Sequence, residues 1–380
     1  MPADILYVDD EPDALLGAAK RSGADARFSV AGIADLKAIE RPLAGATAWV
    51  LDFYNDEGSR EDPTFAGTES TGLSLFQRLR LLAGESRPPA ILISNHLETA
   101  LGQGVTAGLR HRLAEEVGVE WVADKSPETG AYVREILAIA DATATFQAAA
   151  KVLAAAQPGD YVAALADNLL RLSTDTQWRP LAISDVDAWR PPVLRAASEG
   201  AGGERLDVNA RPFVAWMIRQ TLAYPSFVIS IAQVAARLGV STSSLRACAA
   251  AENGLAKALG SLEYSGVLKD FVGKRWWSAG VDDFVFSLPG ASDDRQGALE
   301  ALAGKGELEF LNIDDPVVVS NADLVETDQI APSEDCVRAS DEHAPSHAPP
   351  AWVLKRDVAR DRTLARRVWL EDQTTPAASA

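Results

Sequence analysis

The amino-acid sequence predicts an α/β fold: a doubly wound, five-stranded parallel sheet, followed by a mainly helical region and a small mixed α+β part at the end of the chain. Five short apolar runs occur in roughly the first third of the chain, and helix-like periodic segments alternate with them. This alternation is typical of parallel strands joined by crossover helices. Polar residues follow four of the runs, at the strand ends where such sheets place a ligand site.

The elements of this sheet domain follow in chain order. The predicted strands are Ile5–Val8, Phe28–Ala31, Ala48–Leu51, Ala90–Ile93 and Val119–Val122, and the predicted helices between them are Pro12–Ser22, Leu36–Leu43, Thr71–Leu82 and Leu97–Val117. A longer helix begins after Pro127, with Ser126 as its N-cap, and ends before the helix-breaking pair Pro158-Gly159. Its length leaves two roles open: a linker, or a dimerisation seam that would make the protein a homodimer.

Composition and charge exclude several classes of protein. Apolar residues make up 47% and charged residues 24% of the 380 residues, as in soluble globular proteins of two or three domains. No apolar run approaches the roughly 18 residues of a membrane span, and the start carries no secretory signal, so we expect no membrane partner. Cys248 and Cys336 are the only cysteines, which fits a reducing cytoplasm. The net charge of -18 argues against non-specific binding of the whole molecule to nucleic acid.

Changes in composition along the chain predict four parts. These are residues 1–145 (sheet domain), 146–157 (linker helix), 158–290 (helical effector domain) and 291–380 (α+β or partly disordered). Within the last part, residues 307–313 and 316–321 predict strands. Residues 331–351 are rich in Pro, Ser and acidic residues and predict a loop.

Acidic residues at the ends of two predicted strands indicate a metal site. Asp9 and Asp10 follow the first strand, and Asp52 follows the third. Carboxylates this close repel one another unless a cation lies between them, and Mg²⁺ suits such a group because it takes one or two carboxylates and leaves room for a phosphate. Asp52 is then a ligand alone or the nucleophile toward a phosphoryl group, with Lys125 as counter-charge and Ser94 as hydrogen-bond donor. Alternatively, Asp9 and Asp10 only cap the first helix.

These residues lie in four motifs that together resemble the receiver domain of two-component response regulators. The motifs are VDDEP (Val8–Pro12), WVLDFY (around Asp52), AILIS (ending at Ser94) and DKSP (around Lys125). The resemblance covers about residues 3–145 and implies a flavodoxin-like fold and a non-enzymatic phosphoprotein of a phosphorelay. It implies that Asp52 accepts a phosphoryl group from a histidine kinase, with Ser94 and Lys125 contacting the phosphate. It also implies Mg²⁺ bound by Asp10, Asp52 and the backbone carbonyl of Tyr54, with Asp9 helping through water.

The sequence departs from the receiver pattern in three places. The glycine that opens the helix after the phosphoacceptor strand comes only at Gly72, after an insertion of about a dozen residues, and the segment from Ser94 to Lys125 is about nine residues longer than usual. Val122 stands where the family has its aromatic switch residue, and Trp121 lies one position earlier. A receiver that keeps its site residues but has lost phosphorylation is therefore the alternative.

Residues 231–248 predict two helices joined by a tight turn. Small Ala235 lets the helices approach, Gly239 makes the turn, and Ser241 caps the second helix. The predicted shared core is Val234, Leu238, Val240 and Leu245. The segment resembles the helix-turn-helix of bacterial transcription regulators, and this resemblance implies DNA contacts by Thr242, Ser243, Ser244 and Arg246.

The charge distribution leaves two outputs open for the effector. Residues 204–280 carry nine Lys or Arg and five acidic residues, a net +4, so the rest of the chain carries -22. A basic region in an acidic protein favours DNA binding. The same pair of helices also fits a protein-interaction adaptor that does not bind DNA.

Two smaller groups of residues are further candidates for binding sites. The KRWW stretch, Lys274–Trp277, either stacks on a base or a partner or has its indoles divided between core and rim. His343 and His347, with Cys336 nearby, lack a fourth local ligand for zinc. No Gly-rich phosphate loop or nucleophile arrangement predicts an enzyme in the C-terminal part.

Overall fold

The structure is a computed structural model, and it describes residues 4–9, 12–31, 45–53, 72–83, 87–95, 109–125, 131–191, 194, 210–290 and 292–373. The chain divides into two compact units. Unit 1 comprises Met1–Leu169 and Pro191–Arg219, and unit 2 comprises Leu170–Arg190 and Gln220–Ala380. The predicted domain boundaries at 145, 158 and 290 stay predictions.

The strands and helices are numbered in chain order. The strands are β1 (Ile5–Val8), β2 (Phe28–Ala31), β3 (Ala48–Asp52), β4 (Ala90–Ser94), β5 (Trp121–Asp124), β6 (Val228–Ile229), β7 (Trp276–Trp277), β8 (Pro316–Ser320), β9 (Glu326–Pro332), β10 (Cys336–Ala339) and β11 (Ala351–Leu354). The helices are α1 (Asp13–Arg21), α2 (Gly72–Ala83), α3 (Arg110–Val117), α4 (Ala131–Ala155), α5 (Tyr161–Asn168), α6 (Arg179–Trp189), α7 (Ala210–Trp216), α8 (Ile231–Leu238), α9 (Thr242–Ala249), α10 (Gly254–Ser261), α11 (Ser278–Ser287), α12 (Ser292–Ala303), α13 (Lys355–Val358), α14 (Arg362–Arg367) and α15 (Leu370–Gln373).

Unit 1 contains the predicted five-stranded sheet. Its strand order is β2-β1-β3-β4-β5, and all four pairings are parallel. This order is that of the flavodoxin-like doubly wound fold, whose ligand site lies at the switch point between the first and third strands. Strands β1, β3 and β4 are buried along their whole length, because helices cover both faces of the sheet.

The predicted elements of unit 1 agree with the structure to within a few residues where the structure describes them. β3 and β4 each run one residue further than predicted, into Asp52 and Ser94, and β5 begins at Trp121 rather than Val119. The helix predicted over Leu36–Leu43, the cap Ser126 and residues 97–108 of the next predicted helix lie outside the described residues. α3 accounts for the described end of that last helix.

Helix α4 is the long helix predicted after Pro127. It spans 25 residues with a mean hydropathy of 1.3 over its most apolar window, so by length and composition it is able to cross a membrane. An apolar run of membrane-spanning length was not predicted from the sequence. Tyr132, Ile136 and Phe146 are buried where α4 packs against α1, α7, β3 and β5. A core helix passes the same length and hydropathy test, so α4 is weak evidence for a membrane span.

In unit 2, α8 and α9 form the predicted helical pair. Ser230 and Ser241 cap the two helices by accepting hydrogen bonds from the backbone N–H groups of Gln233 and Ser244. Gly239 adopts φ +72, the left-handed conformation that ends α8. The four predicted core residues of the pair are all buried.

The last part of the chain forms a mixed sheet with the order β10-β11-β8-β9. β8 lies where a strand was predicted. The strand predicted over residues 307–313 is wrong: apart from an isolated bridge between Val240 and Phe310, this segment pairs with the turn of the helical pair, where Ser241 N donates to Glu309 O. The prediction of a loop over residues 331–351 is wrong where the segment forms β10. Cys336 and Ala339 of this strand are buried in the apolar clusters of the sheet.

Candidate functional site

The candidate site lies at the carboxyl edge of the sheet in unit 1. Asp9 follows β1, Asp52 ends β3, Ser94 ends β4 and Lys125 follows β5, so four different strands each supply one polar side chain. The parallel register aligns these ends, since Val8 lies opposite Leu51, Asp52 opposite Ile93 and Ser94 opposite Asp124. All four polar residues are buried, and Asp52 is the most exposed of them at 8%.

Lys125 connects the two described carboxylates. Its Nζ lies 2.5 Å from Asp9 Oδ2 and 3.5 Å from Asp52 Oδ1, so these two oxygens are at most about 6 Å apart. Burial by itself would lower the pKa of Lys125, but the hydrogen bond to Asp9 and the charge of Asp52 outweigh burial, and the pKa is raised. A buried ammonium group therefore compensates the acids that end β1 and β3.

Tyr7 is a site residue that sequence reasoning missed. It is fully buried in β1, and its hydroxyl donates a hydrogen bond to Asp9 Oδ2, the oxygen that Lys125 also contacts. Burial, and next the hydrogen bond to Asp9, raise the pKa of Tyr7, so the phenol remains protonated and donates. Its separation of two residues from Asp9 is the signal available in the sequence, because residues i and i+2 of an extended chain point to one face.

Gly72 lies directly against the backbone of the Asp52 strand. It is the first residue of α2, and its N–H donates to Phe53 O at 2.8 Å. A Cβ at this position would lie 2.0 Å from Asp52 O, a distance that no side chain tolerates. Gly72 is the glycine predicted to open this helix, and the close approach to Asp52 is the physical reason for a glycine there.

Val122 stands where the resemblance to receivers would place an aromatic residue. Val122 is fully buried in β5. Trp121 is also buried, and its indole N–H donates to Glu135 Oε2 on α4 at 2.8 Å. An aromatic switch at position 122 is therefore absent.

The described acids fit part of the predicted magnesium site. Asp9 and Asp52 offer hard oxygen donors that both lie within 3.5 Å of Lys125 Nζ, and Mg²⁺ requires only one or two carboxylates beside water and phosphate. The other two predicted ligands, Asp10 and the carbonyl of Tyr54, lie outside the described residues. Within the described ranges, no group of three or more His, Cys, Asp or Glu side chains is arranged to hold a metal.

Comparison with protein-family models, curated proteins and solved structures finds no match for this chain. The strand order supports the fold, and the side-chain geometry alone supports the site.

The four residues predicted to read DNA are largely engaged within unit 2. Thr242 is 3% exposed and donates to Asp328 O on β9 at 2.9 Å. Arg246 donates two hydrogen bonds to the Asp328 carboxylate, at 2.8 and 3.0 Å. Ser244 Oγ accepts from Glu309 N at 3.1 Å, and only Ser243 is an exposed residue without a bond to another element among those described here.

The remaining candidates do not form a metal site. His347 packs edge-on against Trp189 with ring centroids 4.6 Å apart, and Nε2 of His343 lies 3.8 Å from Glu342. Cys336 is buried in the apolar cluster of the mixed sheet. Both tryptophans of KRWW are buried, at positions that form β7, so neither indole lies on the rim.

Proposed function

We infer that the protein is a response regulator whose N-terminal sheet domain accepts a phosphoryl group on Asp52. The observation that carries this inference is Lys125 Nζ bridging Asp9 and Asp52 at the carboxyl edge of a sheet with the order 2-1-3-4-5. A histidine kinase is the proposed donor. Gly72 supports the assignment, because it lets α2 begin against the phosphoacceptor strand.

The proposed reaction is phosphoryl transfer to a carboxylate. An Asp52 oxygen attacks the phosphorus of a phosphohistidine or of acetyl phosphate, the new O–P bond forms as the bond to the leaving group breaks, and the leaving group keeps the electron pair. Mg²⁺, held by Asp9, Asp10, Asp52 and the carbonyl of Tyr54, would neutralise phosphate charge. Ser94 and Lys125 supply a hydrogen-bond donor and a positive charge beside Asp52.

Lys125 is also the proposed element of the response. In the structure its ammonium lies closer to Asp9 than to Asp52. A phosphoryl group adds up to about two negative charges on Asp52, which strengthens the attraction of Lys125 to that residue at the expense of its bond to Asp9. Lys125 directly follows β5, so we propose that its rearrangement is transmitted along β5 to the contacts between β5 and α4.

Replacement of Asp52 tests the phosphoacceptor. Asp52→Asn removes the nucleophile, so we expect no labelling when the full chain is incubated with radioactive acetyl phosphate and Mg²⁺. Asp25→Asn changes the same charge on an exposed turn of unit 1 and should label like the parent protein. Unchanged labelling of Asp52→Asn would show that another residue is the acceptor, and absence of labelling in the parent would indicate a degenerate receiver.

For the output we propose that unit 2 acts as a protein-interaction adaptor, with DNA binding as the second candidate. The hydrogen bonds of Thr242 and Arg246 to Asp328 favour the adaptor, since Thr242 is buried against β9 and the exposed Arg246 guanidinium already has a carboxylate partner. The capped helices and the Gly239 turn favour DNA binding.

A gel-shift series in increasing salt separates these outputs. The adaptor predicts no shift of duplex DNA even at low salt, with or without phosphorylation. A DNA-binding effector predicts a shift that weakens steeply with salt and is reduced by Arg246→Ala but not by Lys257→Ala, which removes an exposed cation on α10. A shift with that dependence would overturn the adaptor.

A further inference from the structure

Unit 2 contains a cavity of about 790 Å³ next to α9 that the proposed phosphorelay does not use. This volume lies within the range of small-molecule sites, roughly 300 to 1,000 Å³. The walls come from α8, α9, the start of β9, the segment before β6 and the KRWW stretch. All of these segments belong to unit 2.

Of the three cations that line the cavity, Arg275 is the one without an ion pair to a described residue. Arg246 is paired with Asp328, and Lys274 is paired with Glu263 at 2.9 Å. Arg275 forms no ion pair with any described residue; its guanidinium donates only long hydrogen bonds to two backbone carbonyls, those of Lys274 at 3.3 Å and Leu222 at 3.4 Å.

Glu326, the acid whose charge acts on Arg275, already has other hydrogen-bond partners. Glu326 accepts hydrogen bonds from the side chains of Ser230 and Gln233. Burial raises the pKa of Glu326, because it disfavours the ionised form of this carboxyl. The guanidinium of Arg275 is thus the strongest donor in the wall without a carboxylate partner among the described residues.

Trp276 provides a second donor. It lines the cavity and is 3% exposed, and its Nε1 has no hydrogen-bond partner in the described part of the chain. A buried N–H without an acceptor costs free energy that an acceptor on a ligand would recover. Indole N–H groups donate but do not accept, so the missing partner is an oxygen or another acceptor.

Much of the rest of the wall is apolar, beside the polar Ser230 and Thr327. Leu222, Ile231, Ala232, Ala249 and Val272 line it, and Val272 is 38% exposed. Such apolar surface, beside an indole N–H without an acceptor and a guanidinium without a carboxylate, matches a ligand with an apolar body and an anionic head.

We propose that this cavity binds a small organic anion, a carboxylate or phosphate monoester carried on an apolar body, with Arg275 and Trp276 contacting the anionic group. The site is independent of phosphorylation at Asp52. Duplex DNA is the competing source of phosphate, but an indole that is 3% exposed is reached only by a ligand that enters the cavity.

The test uses the whole 380-residue chain and three probes: benzoate, phenyl phosphate and the neutral benzyl alcohol. The chain has nine tryptophans, and Trp276→Phe identifies the Trp276 signal among their indole N–H resonances in NMR spectra. We expect benzoate or phenyl phosphate, at millimolar concentration, to shift that resonance saturably, whereas benzyl alcohol should not. The head group that shifts it identifies the ligand class.

Substitutions of Arg275 test whether its guanidinium binds the anion. Arg275→Gln should lower the affinity for the anion by about tenfold, the value of one charge-assisted hydrogen bond. Arg275→Lys keeps the positive charge and should lower the affinity less. Lys269→Gln removes an exposed charge outside the cavity and should leave the affinity unchanged. If Trp276→Phe does not fold, calorimetric titration of these three variants carries the test alone.

Three outcomes would overturn the proposal. They are the absence of saturable binding of both anions, equal binding of benzyl alcohol and the anions, and a shift of the Trp276 resonance by duplex DNA. The last outcome would assign the cations of the cavity wall to nucleic acid.

Discussion

At the scale of single residues, the acids at the ends of β1 and β3 are stabilised by Lys125 from a distant part of the sequence, and Asp9 also by the nearby Tyr7. Asp9 receives hydrogen bonds from Tyr7 and from Lys125, and Lys125 also faces Asp52. Burying carboxylates without such partners would cost several kcal/mol each. The polar groups to which the proposed phosphoryl transfer assigns a role are thus also groups that stabilise the folded site.

Tyr7→Phe tests this view of the site. It removes one donor to a buried carboxylate and keeps the ring, so the free energy of unfolding should fall by about 1–3 kcal/mol. Labelling by acetyl phosphate should persist, because Tyr7 has no proposed contact with phosphate. The measurement is urea unfolding of Tyr7→Phe alone and combined with Asp9→Asn; a loss that stays the same in the double variant would show that the hydroxyl does not act through Asp9.

At the scale of elements, the two edges of the sheet differ in how their charged side chains are paired. At the amino edge, Arg87 ahead of β4 forms a buried double hydrogen bond to Glu120, at 2.8 and 3.1 Å, and Glu120 also accepts from Ala90 N. Arg211 and Arg219 approach the same carboxylate from the segment around α7. This edge is a tight structural cluster, whereas Lys125 at the carboxyl edge has two alternative acidic partners.

The start of α2 gives a prediction about an element boundary. Gly72→Ala places a methyl group against Asp52 O, so α2 or β3 must shift; we expect a loss of at least about 1–3 kcal/mol of unfolding free energy and slower labelling of Asp52. Circular dichroism on urea titration and the labelling rate measure the two effects.

Gly17→Ala is the matched control, because its methyl would meet nothing closer than 3.9 Å in α1. It should be neutral or stabilising by about 0.5–1 kcal/mol. Equal effects of the two substitutions would contradict a special role for Gly72.

At the scale of the whole molecule, composition and contacts divide the chain differently. Composition changes along the sequence predict contiguous parts. The compact units are defined by contacts, and each contains two separate stretches, with Leu170–Arg190 in unit 2 and Pro191–Arg219 in unit 1. The unit to which a segment belongs depends on which of its faces is buried and on the elements that this face packs against. Amino-acid composition does not determine these contacts.

The sequence by itself determined the α/β sheet, the positions of its strands, the caps and turn of the helical pair, and the four strand ends that supply Asp9, Asp52, Ser94 and Lys125. These features depend on local periodicity, capping and the parallel order of strands, which act over a few residues. Only the tertiary structure placed Tyr7 on Asp9, Gly72 against Asp52, Asp328 on Arg246 and both tryptophans of KRWW in the core. Those contacts are formed by elements that are distant in sequence or depend on which face of a strand is buried, and packing in three dimensions decides them.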